Sequence, residues 1–147
     1  MEVMIEERLA ALFDSVKGGG QVPQAVLRRL QFLARVMKEA PVARAGTVNL
    51  MWYDPAGKVQ AKAVGVAEVI IGREAGCDVV LASPKVSRRH CAVRQAKAGG
   101  AILEVEELGS SNGTAVNGVQ LPERGRRFLG DGDVIEVAGI AVGVVGA

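Results

Sequence analysis

The spacing of apolar positions changes once along this chain, between residues 41 and 47. Before that point the period is helical. Ile5, Leu9, Leu12, Phe13 and Val16 recur on one helix face, which predicts a helix over residues 3–16. Gly18-Gly19-Gly20 stops it. A second helix is predicted to begin near Pro23, because proline's fixed φ and missing N–H suit a first turn. Val26, Leu30, Leu33 and Met37 line one of its faces. Pro41 ends it by disfavouring helix at the residue before it. Two amphipathic helices joined by a short glycine link predict a helical hairpin.

From Thr47 onward, short β-rich runs alternate with turn residues. Strands are predicted over residues 47–53, 59–64, 67–71, 78–81, 91–95, 101–106, 134–137 and 140–145. Turns are predicted at Asp54-Pro55-Ala56-Gly57, Lys97-Ala98-Gly99-Gly100 and Gly130-Asp131-Gly132-Asp133. Val116-Asn117-Gly118-Val119 predicts a two-residue hairpin, since Asn-Gly tolerates positive φ at both central positions. Many short strands between turns predict a mainly β fold, a sandwich or a barrel.

Composition narrows this picture. A chain of 147 residues suits one domain with an appendage, and a hydrophobic content of 49% excludes disorder. Aromatic content is 3%, so the core must be aliphatic. A net charge of +2, all of it contributed by residues 1–45, is too small to predict nucleic-acid binding. Locally the charge is different. Arg73, Lys85, Arg88 and Arg89 cluster in or beside predicted loops, a concentration that suits a small anionic ligand better than a long polyanion. Cys77 and Cys91 make neither a disulfide framework nor a metal-ligand spacing, and both read as reduced and structural. Glu2, Glu6 and Glu7 do not suit a secretory signal, and the apolar run 134–147 is too short to span a bilayer. A cytoplasmic protein bound to neither membrane nor nucleic acid is expected.

Three polar signals fall on the predicted loops: Gly72-Arg73, Ser87-Arg88-Arg89-His90, and Ser110-Ser111-Asn112-Gly113-Thr114 followed by Asn117-Gly118. A phosphate carries about two negative charges and three strong acceptor oxygens, so binding it needs cations and converging donors. Arg73 offers a planar fork matched to it, Ser87 and Ser111 offer hydroxyls, Arg88 a second cation, and Asn112 both a donor and an acceptor for a peptide main chain. Taken singly, each has a plainer role: Arg73 in a surface ion pair with Glu74, Ser87 as a turn cap.

The ordered set resembles the forkhead-associated (FHA) domain, a phosphothreonine-peptide reader, and the resemblance runs from about Thr47 to the C-terminus. It implies an FHA-like β-sandwich of about eleven strands over residues 46–147, and it leaves the helical hairpin of residues 1–45, read from the apolar period, without a role. It implies that Arg73 and Ser87 contact phosphate, that Arg88 and Ser111 assist, and that Asn112 holds peptide backbone. His90 is implied to brace the binding loop, with Gly72, Gly113, Asn117 and Gly118 also structural. Lys85, two residues before Ser87, is placed to influence selection of a downstream peptide residue.

Catalysis finds little support in the sequence. His90 is the single histidine, Ser87 lies three positions from it, and no Gly-x-Ser-x-Gly elbow accompanies them. Gly18-Gly19-Gly20 lacks the Gly-Lys-Ser/Thr ending of a phosphate-binding loop, and no cofactor or metal motif is present. The expected function is non-catalytic recognition of a phosphothreonine segment on a Ser/Thr kinase or its substrate. The alternative is a phosphate-independent scaffold that acts, or homo-oligomerises, through its N-terminal helices. Three readings of those helices stay open: packing on the sandwich, docking a partner or a second copy, and a DNA-binding helix-turn-helix, to which Arg28, Arg29 and Arg35 lend some charge although only two helices are visible.

Overall fold

The computed structural model describes residues 24–39 and 47–146. The helix predicted over residues 3–16 lies outside the described residues. The second predicted helix, α1 (Gln24–Glu39), begins directly after Pro23 and has Lys38 in its last turn, where a cation complements the helix dipole. Its buried residues are Leu30, Leu33, Val36 and Met37. Val26, predicted on the same face, is only half-buried. There the first turns of α1 stand off the sheet and leave a cleft of about 320 Å³ lined by Val26, Phe32, Val134 and Ala141.

Eleven strands follow: β1 (Val48–Tyr53), β2 (Val59–Val64), β3 (Val69–Gly72), β4 (Val79–Val80), β5 (Cys91–Gln95), β6 (Leu103–Glu107), β7 (Thr114–Val116), β8 (Val119–Gln120), β9 (Arg126–Leu129), β10 (Val134–Val137) and β11 (Ile140–Gly146). They form two sheets, ordered β2-β1-β11-β10-β7-β8 and β4-β3-β5-β6-β9. Every pairing is antiparallel except β3 with β4. Between the sheets lies an aliphatic core that includes Leu50, Ile71, Val93, Leu103, Val105, Ile135 and Val144. The two-residue period of a strand sends alternate side chains inward, so β6 buries Leu103 and Val105 and half-exposes Glu104 and Glu106.

β1 breaks that alternation, because five of its six residues are buried. Val48, Leu50 and Trp52 face the inner core, while Met51 faces outward onto α1 with Val134 and Val145. Gly143 makes the close approach of α1 achievable. It pairs with Met51 across the sheet, and a Cβ there would stand 3.1 Å from the Phe32 ring and 3.2 Å from Leu33 Cδ2. The Arg35 guanidinium caps this patch, 5.0 Å from the centroid of the Tyr53 ring. The apolar face of α1 is thus covered by the chain's own sheet.

The Asn117-Gly118 hairpin forms as predicted, with φ of 51° and 82° at its central residues. β9 was not legible in the sequence. It is an edge strand of Arg-Arg-Phe-Leu in which only Leu129 reaches the core, so no alternation marks it.

The inner core closes without α1, whereas the outer patch depends on it. Deleting residues 1–41 is therefore expected to preserve a cooperative thermal transition, shifted to lower temperature, with reduced solubility as Met51, Val134 and Val145 are uncovered. Leu33→Ala in the full chain should cost about 2–5 kcal/mol in urea titration. A truncated chain with no cooperative transition would instead make α1 part of the indispensable core.

Candidate anion-binding loops

Three loops meet at one end of the sandwich: those joining β3 to β4, β4 to β5 and β6 to β7. The first two are zipped together by main-chain bonds. Arg73 N–H donates to Ser87 O at 3.0 Å, Glu74 N–H to Arg88 O at 3.3 Å, and His90 N–H to Ile71 O at 2.8 Å. So close an approach explains Gly72, where a Cβ would collide with the Arg88 carbonyl. The Cys77 thiol also donates to Arg88 O, at 3.2 Å.

His90 ties this pair to the third loop. Its ring is fully buried. Ser87 N–H donates to Nδ1 at 3.1 Å, so the proton sits on Nε2, which donates to Gly113 O at 2.7 Å. Both ring nitrogens are occupied by main chain from segments that lie far apart in sequence. The brace also sets the Ser87 side chain. Ser87 Oγ accepts from Ser111 N–H at 3.1 Å, which leaves its own hydroxyl proton available. Asn112 completes the junction by donating from Nδ2 to Lys85 O at 2.7 Å.

The third loop has an internal brace that the sequence reading did not single out. Glu107 is buried at the end of β6 and accepts from Gly109 N–H at 2.7 Å and Ser110 N–H at 2.9 Å. Ser110 Oγ then accepts from Gly113 N–H at 3.0 Å. Burial pushes the Glu107 carboxyl up, but hydrogen bonds from Ser110 and Gly109 outweigh it and hold the group below the ordinary glutamate value. The signal was present in the strand period, because Glu107 falls on the inward positions of β6 after Leu103 and Val105. A carboxylate there needs several donors, and the following loop supplies them.

At the solvent edge of this framework, Arg73, Lys85 and Arg88 are exposed, and among the described residues no hydrogen bond or ion pair engages their side chains. Ser111 and Asn112 are exposed beside them. Arg73, Ser87, Arg88, Ser111 and Asn112 thus lie on three loops that hydrogen-bond directly to one another. Asn117 and Gly118 do not join them. They sit at the far end of β7, where Asn117 accepts from Val134 N–H and donates to Asp133 Oδ1, both at 2.9 Å, and so fixes the turn before β10.

The FHA domain profile matches residues 69–138, the segment that carries all three loops. An FHA domain solved in a structural and functional analysis of phosphothreonine-dependent FHA interactions is 31% identical, with a TM-score of 0.56, over 69% of this chain and 97% of its own. The chain belongs to the FHA domain family. The FhaA FHA domain, solved in complex with the intracellular domain of Rv3910, is 32% identical, with a TM-score of 0.54, over 66% of this chain and 98% of its own. The FHA domain of the CT664 protein of Chlamydia trachomatis shares the fold at 20% identity, with a TM-score of 0.61, over 69% of this chain and 98% of its own. No curated protein sequence matches.

Other chemistry is sparse in this FHA domain. Among the described residues no group of three potential ligands could hold a metal ion, and no helix is long and apolar enough to cross a membrane. Both cysteines are free and buried. Burial, with Glu107 nearby, pushes the Cys91 thiol up to about 12, and burial followed by Glu74 raises that of Cys77, so neither is an activated nucleophile.

Two variants test the braces. His90→Ala leaves the Ser87 N–H and the Gly113 carbonyl without their partner, and should lower stability by at least about 2 kcal/mol in urea titration. Glu107→Gln keeps the shape but presents an amide N–H to backbone donors, and should cost about 1–3 kcal/mol near neutral pH. Because the folded-state value of Glu107 lies below its unfolded value of 4.5, its contribution is complete above about pH 4.5 and is lost as pH falls through the lower folded-state value. Wild type should therefore lose its advantage over Glu107→Gln on acidification. A constant gap between the two down to about pH 3 would contradict this account of Glu107.

Proposed function

We propose that this FHA domain is a non-catalytic reader of phosphothreonine segments on partner proteins. The observation that carries the reading is the unengaged guanidinia of Arg73 and Arg88 together with the Ser87 and Ser111 hydroxyls, whose protons remain available, at the edge of three hydrogen-bonded loops. A phosphothreonine offers about two charges and three acceptor oxygens to such a surface. The guanidinium fork of Arg73 suits two of those oxygens, and the Ser87 hydroxyl, already accepting from Ser111, donates to a third. Asn112 keeps its carbonyl oxygen for a peptide N–H while its amide holds Lys85 O.

A catalytic role would need a base, and His90 has neither ring nitrogen left to act as one. The partner implied is a Ser/Thr kinase in the same compartment, or a substrate of that kinase. Recognition also fits the placement of the candidate residues on loops carried by a rigid sandwich.

A phosphothreonine peptide library titrated against wild type and variants tests the reading. A charged hydrogen bond contributes roughly 1.5–3 kcal/mol, so Arg73→Ala should weaken a bound peptide at least about tenfold. Ser87→Ala should cost somewhat less, because backbone donors remain. Asn112→Ala should weaken binding and also loosen the Lys85 loop, without unfolding the domain. Matched phosphoserine peptides should bind a few-fold more weakly, since one buried methyl is worth about 0.8 kcal/mol. If no phosphopeptide binds wild type better than its unphosphorylated twin, the reading is wrong.

A further inference from the structure

Beside the third loop lies a polar cleft of about 490 Å³. Its walls include Ser111 and Asn112, so it is continuous with the proposed phosphopeptide surface. Gln120 forms another wall, its side-chain amide lying close over Gly113, so that an added Cβ there would have to displace it. Glu107 and Glu123 are the acidic side chains of the lining, which among the described residues includes no basic one.

The two carboxylates differ in availability. Glu107 is buried and committed to the loop, so it contributes a fixed negative field rather than a contact. Glu123 is exposed, and among the described residues no hydrogen bond or ion pair engages it. Its Oε1 stands 3.7 Å from where a Gly109 Cβ would be, at the mouth of the cleft. The neighbouring Arg124 passes 3.9 Å from the same point but acts on Glu106, whose carboxyl Arg94 chiefly, and Arg126 and Arg124 besides, hold below its ordinary value. Arg124 thus stands beside the cleft without being among its lining residues, and the carboxylates of the lining are Glu107 and Glu123.

The charged groups that line the cleft are therefore opposite in sign to Arg73, Lys85 and Arg88 of the loop junction, which the cleft adjoins at Ser111 and Asn112. We propose that this cleft is a second subsite of the same surface and takes a lysine or arginine side chain flanking the phosphothreonine of the partner. The inference rests on the phosphopeptide reading above. A partner read in this way carries its phosphate and its basic residue in a fixed spacing, which a phosphate-only site cannot select.

The test is an array of phosphothreonine peptides on an alanine background, with Lys, Arg or Glu placed in turn at each flanking position, and affinities read by fluorescence anisotropy. General repulsion from Arg73, Lys85, Arg88 and Arg89 should weaken a basic peptide at most positions. At one position Lys or Arg should instead bind about two- to fivefold more tightly than Ala, the range expected of a partly exposed ion pair. Glu123→Gln should abolish that preference and Glu123→Lys should turn it towards Glu, each read as the affinity ratio to the alanine peptide on the same protein, which removes the general effect of the changed charge. Phosphate-dependent binding with no basic preference, or a preference that survives Glu123→Lys, overturns the subsite alone. Loss of phosphate dependence in every peptide overturns both the subsite and the phosphopeptide reading.

Discussion

The site end of this molecule depends on one buried imidazole. His90 holds Ser87 N–H with Nδ1 and the Gly113 carbonyl with Nε2, and it is shut away from water that could replace either bond. With that spacing set, Ser87 Oγ reaches Ser111 N–H and Asn112 reaches Lys85 O. Each of these bonds satisfies a group that would otherwise move, and each leaves a complementary group outward: the Ser87 proton, the Asn112 carbonyl oxygen, the guanidinia of Arg73 and Arg88. Preorganisation of this kind lowers the ordering cost of binding a small anion. The exposed chemistry is simple because the buried chemistry beneath it is complete.

The second constraint is the pair of layers on either side of the six-stranded sheet. Its inner face packs on the other sheet through aliphatic side chains, and its outer face accepts α1 over Met51, Gly143, Val134 and Val145. β1 is therefore buried on both sides, which antiparallel strands seldom are. The binding loops issue from the ends of β3, β4, β5 and β6 in the opposite, five-stranded sheet, whereas α1 packs on the outer face of the six-stranded one.

Much of this was legible in the sequence, and what was missed has physical causes. Strands with clear alternation or flanking turns, such as β2, β5 and β10, appear over the predicted residues, and Asn117-Gly118 takes the positive φ its composition demands. β9 escaped because an edge strand with one core residue has no period to read. Val26 and Val36 exchanged roles because the helical period identifies a stripe but not where the sheet beneath it ends. Glu107 was readable in principle, as a carboxylate on the inward side of an alternating strand, yet only its donors from Gly109 and Ser110 explain it. The junction residues were visible as an ordered pattern. That Asn117 and Gly118 lie at the other end of β7 from that junction became apparent only from the strand pairing.

The central claim is that a phosphorylated peptide binds at the junction held by His90 and nowhere else on the sandwich. An amide NMR map recorded with a phosphothreonine peptide and with its unphosphorylated twin tests this most directly. The account predicts that the phosphorylated peptide alone shifts the backbone amides of Arg73, Ser87, Arg88, Ser111 and Asn112, and leaves those of α1 and of the Asn117-Gly118 hairpin in place. Equal shifts with both peptides, or shifts centred on α1, would contradict it.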